Sequence, residues 1–571
     1  MTTASTRSRN RKKQRGPNVV AANAKATEQP NAGAVRGNEM SERNWRVAAV
    51  CILVAAAVLR LYDLDLVPLH HDEGVNGNFL IRLVREGFYQ YDPANYHGPT
   101  LYYFSAIIPW ILRFLFGPAA QDKYGLHTVT IRLVPALFGL ATVWLVLLLR
   151  RWLGTIGTLA AATLLAVSPG AVYLSRYFIH ETLFVFFTLG LVVAALKYYE
   201  DSQPVYLVLA AISAALLFAT KETAIISVAV LLIALALTRV YRHLGRRNLP
   251  DARDGKRRGS KSVKKERALN VIERLGGPMK VAVWGLVAIA VFVALYVLFY
   301  SSFFTNYPKG VYDSLRTFEF WSRTGKTAHV HPLTTYILWL LRQESPILFL
   351  ATIGTGLIVW KPRNSFSLFV MLWASGILAA YSLISYKTPW LALNFIVPLA
   401  LTAGIGMQMI WEEALGQLRL LVGIMVLALA ISGYQTIDLN FFNYDNDSQY
   451  YVYVYAHTRR ETLAMLKEID RVVERTGQGG QTGITIVAPE YWPLPWYFRD
   501  FTRVAYTGRM TPSTEPIIIA AEGQDAEMEQ QFGQDYQQVN SGLNESGTFS
   551  LRPGVNFRLY VRKEFLPQSP N

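Results

Sequence analysis

The sequence is poor in the residues that mark several large classes of protein. One cysteine, Cys51, stands in 571 residues. That excludes a disulfide framework, a cysteine-built zinc site and an iron–sulfur cluster. Charge is scarce as well: Asp, Glu, Lys and Arg make up 17 % of the chain, against roughly a quarter in soluble domains. No repeat of solenoid period is present. No cleavable leader stands out, because polar residues 1–46 precede the first apolar run, which reads as an uncleaved signal anchor.

Apolar residues take the place of the missing charge. They form 52 % of the chain, aromatics form 13 %, and mean hydropathy is +0.21. Disorder is excluded for most of the chain, since disordered segments are polar and aromatic-poor. A net charge of +16 would suit nucleic acid, but its distribution argues against that partner. Residues 1–46 hold ten Lys or Arg against three Glu, and residues 239–280 hold 14 against four acids. Both read as cytosolic segments facing anionic lipid, the first of them a disordered tail.

Eleven apolar runs are expected to cross a bilayer: 47–61, 129–149, 155–175, 178–196, 204–219, 222–238, 281–300, 346–360, 366–386, 390–411 and 420–434. With the tail inside, both basic segments fall inside, while loop 62–128, with seven acids against four bases, falls outside. A twelfth run, 101–117, would reverse this parity if it crossed, so it is expected to be interfacial or re-entrant. The resulting plan is an all-α polytopic membrane domain over 47–435 and a small extracytoplasmic α/β domain over 436–571. Within the latter, helices are expected at 457–475 and 525–532, and strands at 483–488, 502–506, 516–521 and 556–562.

Charges near a membrane face carry most of the functional information, because ionisable groups at that depth are costly. Five places qualify, and the topology puts all of them on the outer side: His70-His71-Asp72-Glu73, Arg132, Arg176 with His180 and Glu181, Lys221-Glu222, and Lys387 with Trp390. Singly, each reads as a helix cap or a snorkelling charge. Together they mix cations, which hold a lipid phosphate, with carboxylates, which accept a proton from a nucleophile. A divalent metal site built from His70, His71, His97, His180, Asp72 and Glu73 is the rival reading. No H-x-x-x-H or H-E-x-x-H spacing supports it, so no metal or other cofactor is expected. Five aromatics within 491–498 (YWPLPWYF), Trp492 and Trp496 among them, suit either a sugar-stacking platform or an anchor at the membrane interface.

At these residues the sequence resembles the GT-C glycosyltransferases, in the branch of the protein O-mannosyltransferases and the lipid A aminoarabinose transferases. The resemblance runs from about residue 47 to 411. It rests on HHDEG at 70–74, YHGPTLYYF at 96–104, RLVPALFG at 132–139, SRYFIHETLFVFF at 175–187 and ATKE at 219–222. More narrowly, HHDEG, YHGPTLYY and YWPLPWYFRD at 491–500 are similar to the flippase-activity-associated membrane proteins found with N-glycosylation genes. After the histidine-glycine stretch the family often has Lys-Pro-Pro, where this chain reads His97-Gly98-Pro99-Thr100, so the phosphate contact of that lysine must come from elsewhere, with Lys221, Lys387 and His97 as candidates.

The resemblance implies an inverting transferase that passes a sugar from a polyprenyl-phosphate donor to a glycan, lipid or protein acceptor at the outer face. Asp72 is then the expected base and Glu73 its helix cap or orienting neighbour. Arg132, Arg176, Lys221 and Lys387 are expected on the donor phosphate. His71, Tyr96, His97, His180, Glu181, Trp390, Trp492 and Trp496 are expected to position sugar or acceptor. A flippase or its accessory subunit, and a non-catalytic receptor on the same fold, are the alternatives.

Overall fold

The computed structural model describes residues 40–94, 97–244, 273, 275–324, 329–413 and 418–567. Most of the basic tail, most of the basic loop 239–280, and Tyr96 lie outside the described residues. Glu42–Asn571 form one compact unit.

Each of the eleven apolar runs is helical. The helices are α1 (Glu42–Leu61), α2 (His71–Glu86), α3 (Thr100–Phe116), α4 (Thr128–Leu147), α5 (Thr155–Ala166), α6 (Pro169–Ser175), α7 (Glu181–Asp201), α8 (Pro204–Phe218), α9 (Ala224–Leu244), α10 (Pro278–Tyr300), α11 (Lys309–Thr324), α12 (Thr335–Gln343), α13 (Ser345–Trp360), α14 (Ser365–Leu383), α15 (Leu393–Glu413) and α16 (Leu418–Ile437). Among the described residues, eight helices are long and apolar enough to cross a membrane, and α8 and α13 are shorter apolar helices. The chain is a multi-pass integral membrane protein. Helix α10 shows why in its surface: Met279, Val283, Leu286, Ile289 and Val293 are all exposed, an arrangement that water disfavours and lipid accepts.

The run over 155–175, expected to cross, is a pair of helices, α5 and α6, bent by 58°. Pro169 cannot continue the backbone ladder. The carbonyls freed by the break are capped by a buried arginine from α1: Arg60 donates to Leu165 O at 3.1 Å and Ala166 O at 2.9 Å. Ser168 opens α6, its hydroxyl accepting from the Ala171 amide at 3.1 Å. The twelfth run, α3, is a helix of 17 residues with Pro109 inside it.

The C-terminal part is α/β. Helix α17 (Glu461–Thr476) packs on strands β1 (Ile484–Ile486), β2 (Val504–Tyr506), β3 (Ile517–Ala521), β4 (Tyr536–Val539), β5 (Phe549–Arg552) and β6 (Val555–Arg562), and α18 (Asp525–Phe532) precedes β4. The order is β2-β1-β3-β6-β4, with β5 paired to β6; β1 runs parallel to β2 and β3, and β6 antiparallel to β3, β4 and β5. Ile484, Ile486, Ile517, Ile519, Leu559 and Val561 are fully buried at its centre. This part rests on the membrane domain through α2, where the Trp496 indole seats against Gly77; a Cβ there would stand 2.5 Å from Trp496 Cε3.

Candidate active site

The site begins with how HHDEG starts a helix. His70 precedes α2 in extended geometry, and its Nδ1 accepts from the Asp72 amide at 3.0 Å. Its Nε2–H donates to Tyr455 O at 3.1 Å, the tautomer those two partners require. Glu73 closes the cap from the other side, its Oε2 accepting from the His70 amide at 3.0 Å. The two adjacent carboxylates therefore part company. Glu73 turns inward and is 1 % exposed, whereas the Asp72 side chain is 41 % exposed and opens into a cavity of about 460 Å³.

That volume lies within the range of small-ligand sites. Seven of the residues expected from the sequence line it: His71, Asp72, His97, His180, Glu181, Lys221 and Trp390. His70, Glu222, His329, Tyr381, Tyr455 and Arg552 join them. One wall is made where two distant motifs meet. His97 and Lys221 form an antiparallel bridge, and the Gly98 amide donates to Thr220 O at 2.9 Å. Gly98 is needed for this approach, since a Cβ would stand 2.1 Å from Ala219 O.

The charges in that wall interlock. Lys221 Nζ donates to Glu181 Oε1 at 2.6 Å, and His97 Nδ1 lies 3.4 Å from Glu222 Oε2. Burial opposes the Lys221 charge, but Glu181 and Glu222 outweigh it and raise its pKa above the ordinary value. Burial likewise opposes the Glu222 charge, yet the His97 hydrogen bond and the Lys221 ammonium bring its pKa below the ordinary value. Burial depresses His180 far below a normal imidazole, so it is neutral and its Nε2–H donates to Gly98 O at 3.0 Å. His71 is lowered by burial against the pull of Asp72. Beside Tyr455, Ala456 holds a left-handed backbone at φ 53°, a cost tolerated where structure is over-determined.

The remaining sequence candidates sit elsewhere, and four cations divide differently from the expectation. Arg132 is 1 % exposed. It grips Glu73 at 2.7 Å and 2.6 Å and donates to Leu64 O at 2.8 Å and Val67 O at 2.7 Å. Arg176 donates to the carbonyls of Leu59, Tyr62 and Asp63 at 3.3, 2.5 and 2.8 Å. Lys387 is buried and donates to Ile384 O at 2.6 Å and His331 O at 3.2 Å. All three donate to the protein's own backbone and none lines the large cavity; Arg132 and Arg176 line a small one. Lys221 alone of the four faces the large cavity.

The aromatic segment packs against α2. Trp496 is 1 % exposed and held under α2, its Nε1 donating to Thr128 Oγ1 at 3.4 Å. The Tyr497 hydroxyl accepts from the Leu69 amide at 2.8 Å. Trp492 lies with its ring 6.2 Å from that of His71 without lining the cavity. The segment clasps α2. Among the described residues no group of three or more His, Cys, Asp or Glu is arranged to hold a metal ion.

Sequence reasoning passed over Arg552, His329, Tyr381 and Tyr455. The first lies in a strand of alternating burial, where an Arg reads as solvated; nothing local marks it. Glu222 was in view as half of the Lys221-Glu222 turn.

Comparison with known proteins follows this geometry. The family model described as dolichyl-phosphate-mannose-protein mannosyltransferase matches residues 107–251. A search of curated proteins finds no match. Among solved structures, ArnT from Cupriavidus metallidurans bound to undecaprenyl phosphate superposes with a TM-score of 0.59 at 14 % identity, covering 92 % of this chain and 100 % of that one. Its apo state gives 0.58 at 14 % identity, over 92 % and 99 %. The archaeal oligosaccharyltransferase AglB from Archaeoglobus fulgidus, in complex with an inhibitory peptide and a dolichol-phosphate, gives 0.50 at 14 % identity, over 84 % of this chain and 70 % of that one. At such identity the likeness is one of fold, and the fold is GT-C. These matches speak to that broad group and not to the narrower flippase-associated one.

Proposed function

We propose that the chain is an inverting glycosyltransferase that moves a sugar from a polyprenyl-phosphate donor to an acceptor at the outer membrane face. The observation that carries this reading is the joint presence, in one cavity, of a half-exposed carboxylate and a buried ammonium. Two fold relatives were solved with undecaprenyl phosphate and with a dolichol-phosphate, and the partial family match points to the same donor chemistry.

In this mechanism Asp72 accepts the proton of the acceptor nucleophile as that atom attacks the anomeric carbon. The bond from that carbon to the phosphate oxygen breaks, and its electron pair leaves with the lipid phosphate. Lys221 stabilises the charge that develops there. Attack opposite the leaving group inverts the configuration. Glu73 and Arg132 hold the Asp72 loop in shape and take no part in proton transfer. Glu181 fixes Lys221, and neutral His180 fixes Gly98. Trp390 offers a half-buried ring at the cavity wall. Orientation follows the charge distribution, with the basic loop 239–280 in the cytosol and 436–571 outside as a domain of its own.

The test is isotope transfer from a lipid-linked sugar pool in liposomes of the purified chain. Asp72→Asn keeps shape and removes the proton acceptor, so transfer is expected to fall at least ~100-fold while donor binding holds. Glu73→Gln is expected to act through stability instead. Full transfer by Asp72→Asn removes the base. Lipid translocation without transfer in the wild type replaces the reading with a flippase.

A further inference from the structure

The cavity contains a second charged cation besides Lys221, and the C-terminal sheet supplies it. Arg552 is the last residue of β5. The pairing of β5 with β6 slips between Ser550 and Arg552, and such bulges re-aim a side chain. Here the re-aimed guanidinium lines the same cavity as Asp72. Arg552 and Glu490 both act electrostatically on His71, the residue before Asp72.

The two cations differ in what holds them. Lys221 is enclosed, its ion pair with Glu181 4 % exposed on each side. Arg552 is 15 % exposed and pairs with Glu490, which is 56 % exposed. Its Nη1 also donates to Trp492 O at 3.3 Å. A carboxylate that open to water binds its partner weakly and exchanges readily. The guanidinium fork fits any carboxylate or phosphate that displaces it.

Their positions differ as well. Lys221 lies on the turn between the apolar helices α8 and α9, a place from which a cation can reach the phosphate of a lipid. Arg552 belongs to a sheet that contains no candidate span among the described residues.

We propose that Arg552 is a specificity residue that recognises an oxyanion, carboxylate or phosphate, borne by the acceptor, exchanging Glu490 for it on binding. The word acceptor rests on the transferase reading above. Binding without turnover tests the proposal separately from that reading.

The full chain in nanodiscs is titrated with methyl glucuronide, a phosphorylated methyl glucoside, neutral methyl glucoside and undecaprenyl phosphate. At least one charged glycoside is expected to bind ~10-fold or more tightly than the neutral one, as a charge-assisted pair allows. Arg552→Gln should erase that preference and leave undecaprenyl phosphate within about twofold of wild type. Arg552→Lys should keep part of it, and Glu490→Gln, which removes the competing carboxylate, should strengthen it. If Arg552→Gln does not fold, Glu490→Gln decides: an unchanged affinity for both charged glycosides overturns the proposal. So does an equal preference in Arg552→Gln and wild type, or no preference in the wild type. A loss confined to undecaprenyl phosphate would move Arg552 to the donor and overturn it too.

Discussion

Arg60, Arg132 and Arg176 are surrounded by backbone carbonyls, with one carboxylate, Glu73, among their partners. Lys221 and Arg552 face a cavity and are held by carboxylates. The first group closes helix ends and a loop that the fold has broken open. A guanidinium that donates to several carbonyls has little left to offer a ligand. Of the second group, Arg552 can trade its exposed carboxylate for a ligand oxyanion of like geometry, whereas Lys221 keeps Glu181 and offers its remaining ammonium protons to the cavity. Charge at a span end therefore says little about use; the partner does.

The strongest way to break this contrast is at Arg132. If it is scaffold, Arg132→Met strands the Glu73 carboxylate in the interior and should cost about 3–5 kcal/mol of stability. Thermal unfolding in detergent measures this, and the double variant with Glu73→Gln should recover a large part. Unchanged stability with weaker donor binding would move Arg132 into the second group.

Lys221 tests the other side. Lys221→Gln, made together with Glu181→Gln so that no buried charge is orphaned, should bind undecaprenyl phosphate ~10- to 100-fold more weakly, the value of a charge-assisted contact. An isotherm matching wild type would place donor recognition elsewhere.

Between the two groups runs the clasp on α2. Gly77→Ala drives a methyl into the buried indole of Trp496, an overpacking worth about 1–3 kcal/mol. Equilibrium unfolding should show the loss. A neutral result would mean the clasp is loose.

The smallest effect is in pH. Glu222 has a folded pKa below its ordinary 4.5. Its contribution is therefore complete above about pH 4.5 and is lost as pH falls through the lower folded value. The difference in unfolding temperature between wild type and Glu222→Gln should hold steady from neutral pH to about 5 and narrow below that.

Much of this architecture was legible from periodicity and hydropathy. All eleven runs are helices, and the four strands expected from apolar stretches exist. Strands β4 and β5 escaped because each is short and half-polar: YQQV and FSLR bury alternate or fewer residues. The break at Ser168-Pro169 is written in the sequence as well, since Pro169 has no amide N–H to continue the helix inside 155–175. At the site, sequence could bring HHDEG, HGPT and ATKE to one face, because topology sorts them by side. It could not say which neighbour each cation would choose, since most of those partners lie far off in the chain, 40 residues away for Lys221 and 117 for Arg176. Arg132 and Lys221 look alike in one dimension.

The clasp also sets a schedule. The Leu69 amide is bonded by Tyr497 and the His70 ring by Tyr455, so the start of α2, Asp72 with it, takes its final shape only after Tyr497 has been made. Most of the spans can insert long before that. A chain cut short before the clasp would retain its membrane helices yet lack both the loop's outer supports and Arg552. Such fragments would occupy lipid without assembling the reactive cavity, so translation must pass Arg552 before Asp72 can meet a donor in working order.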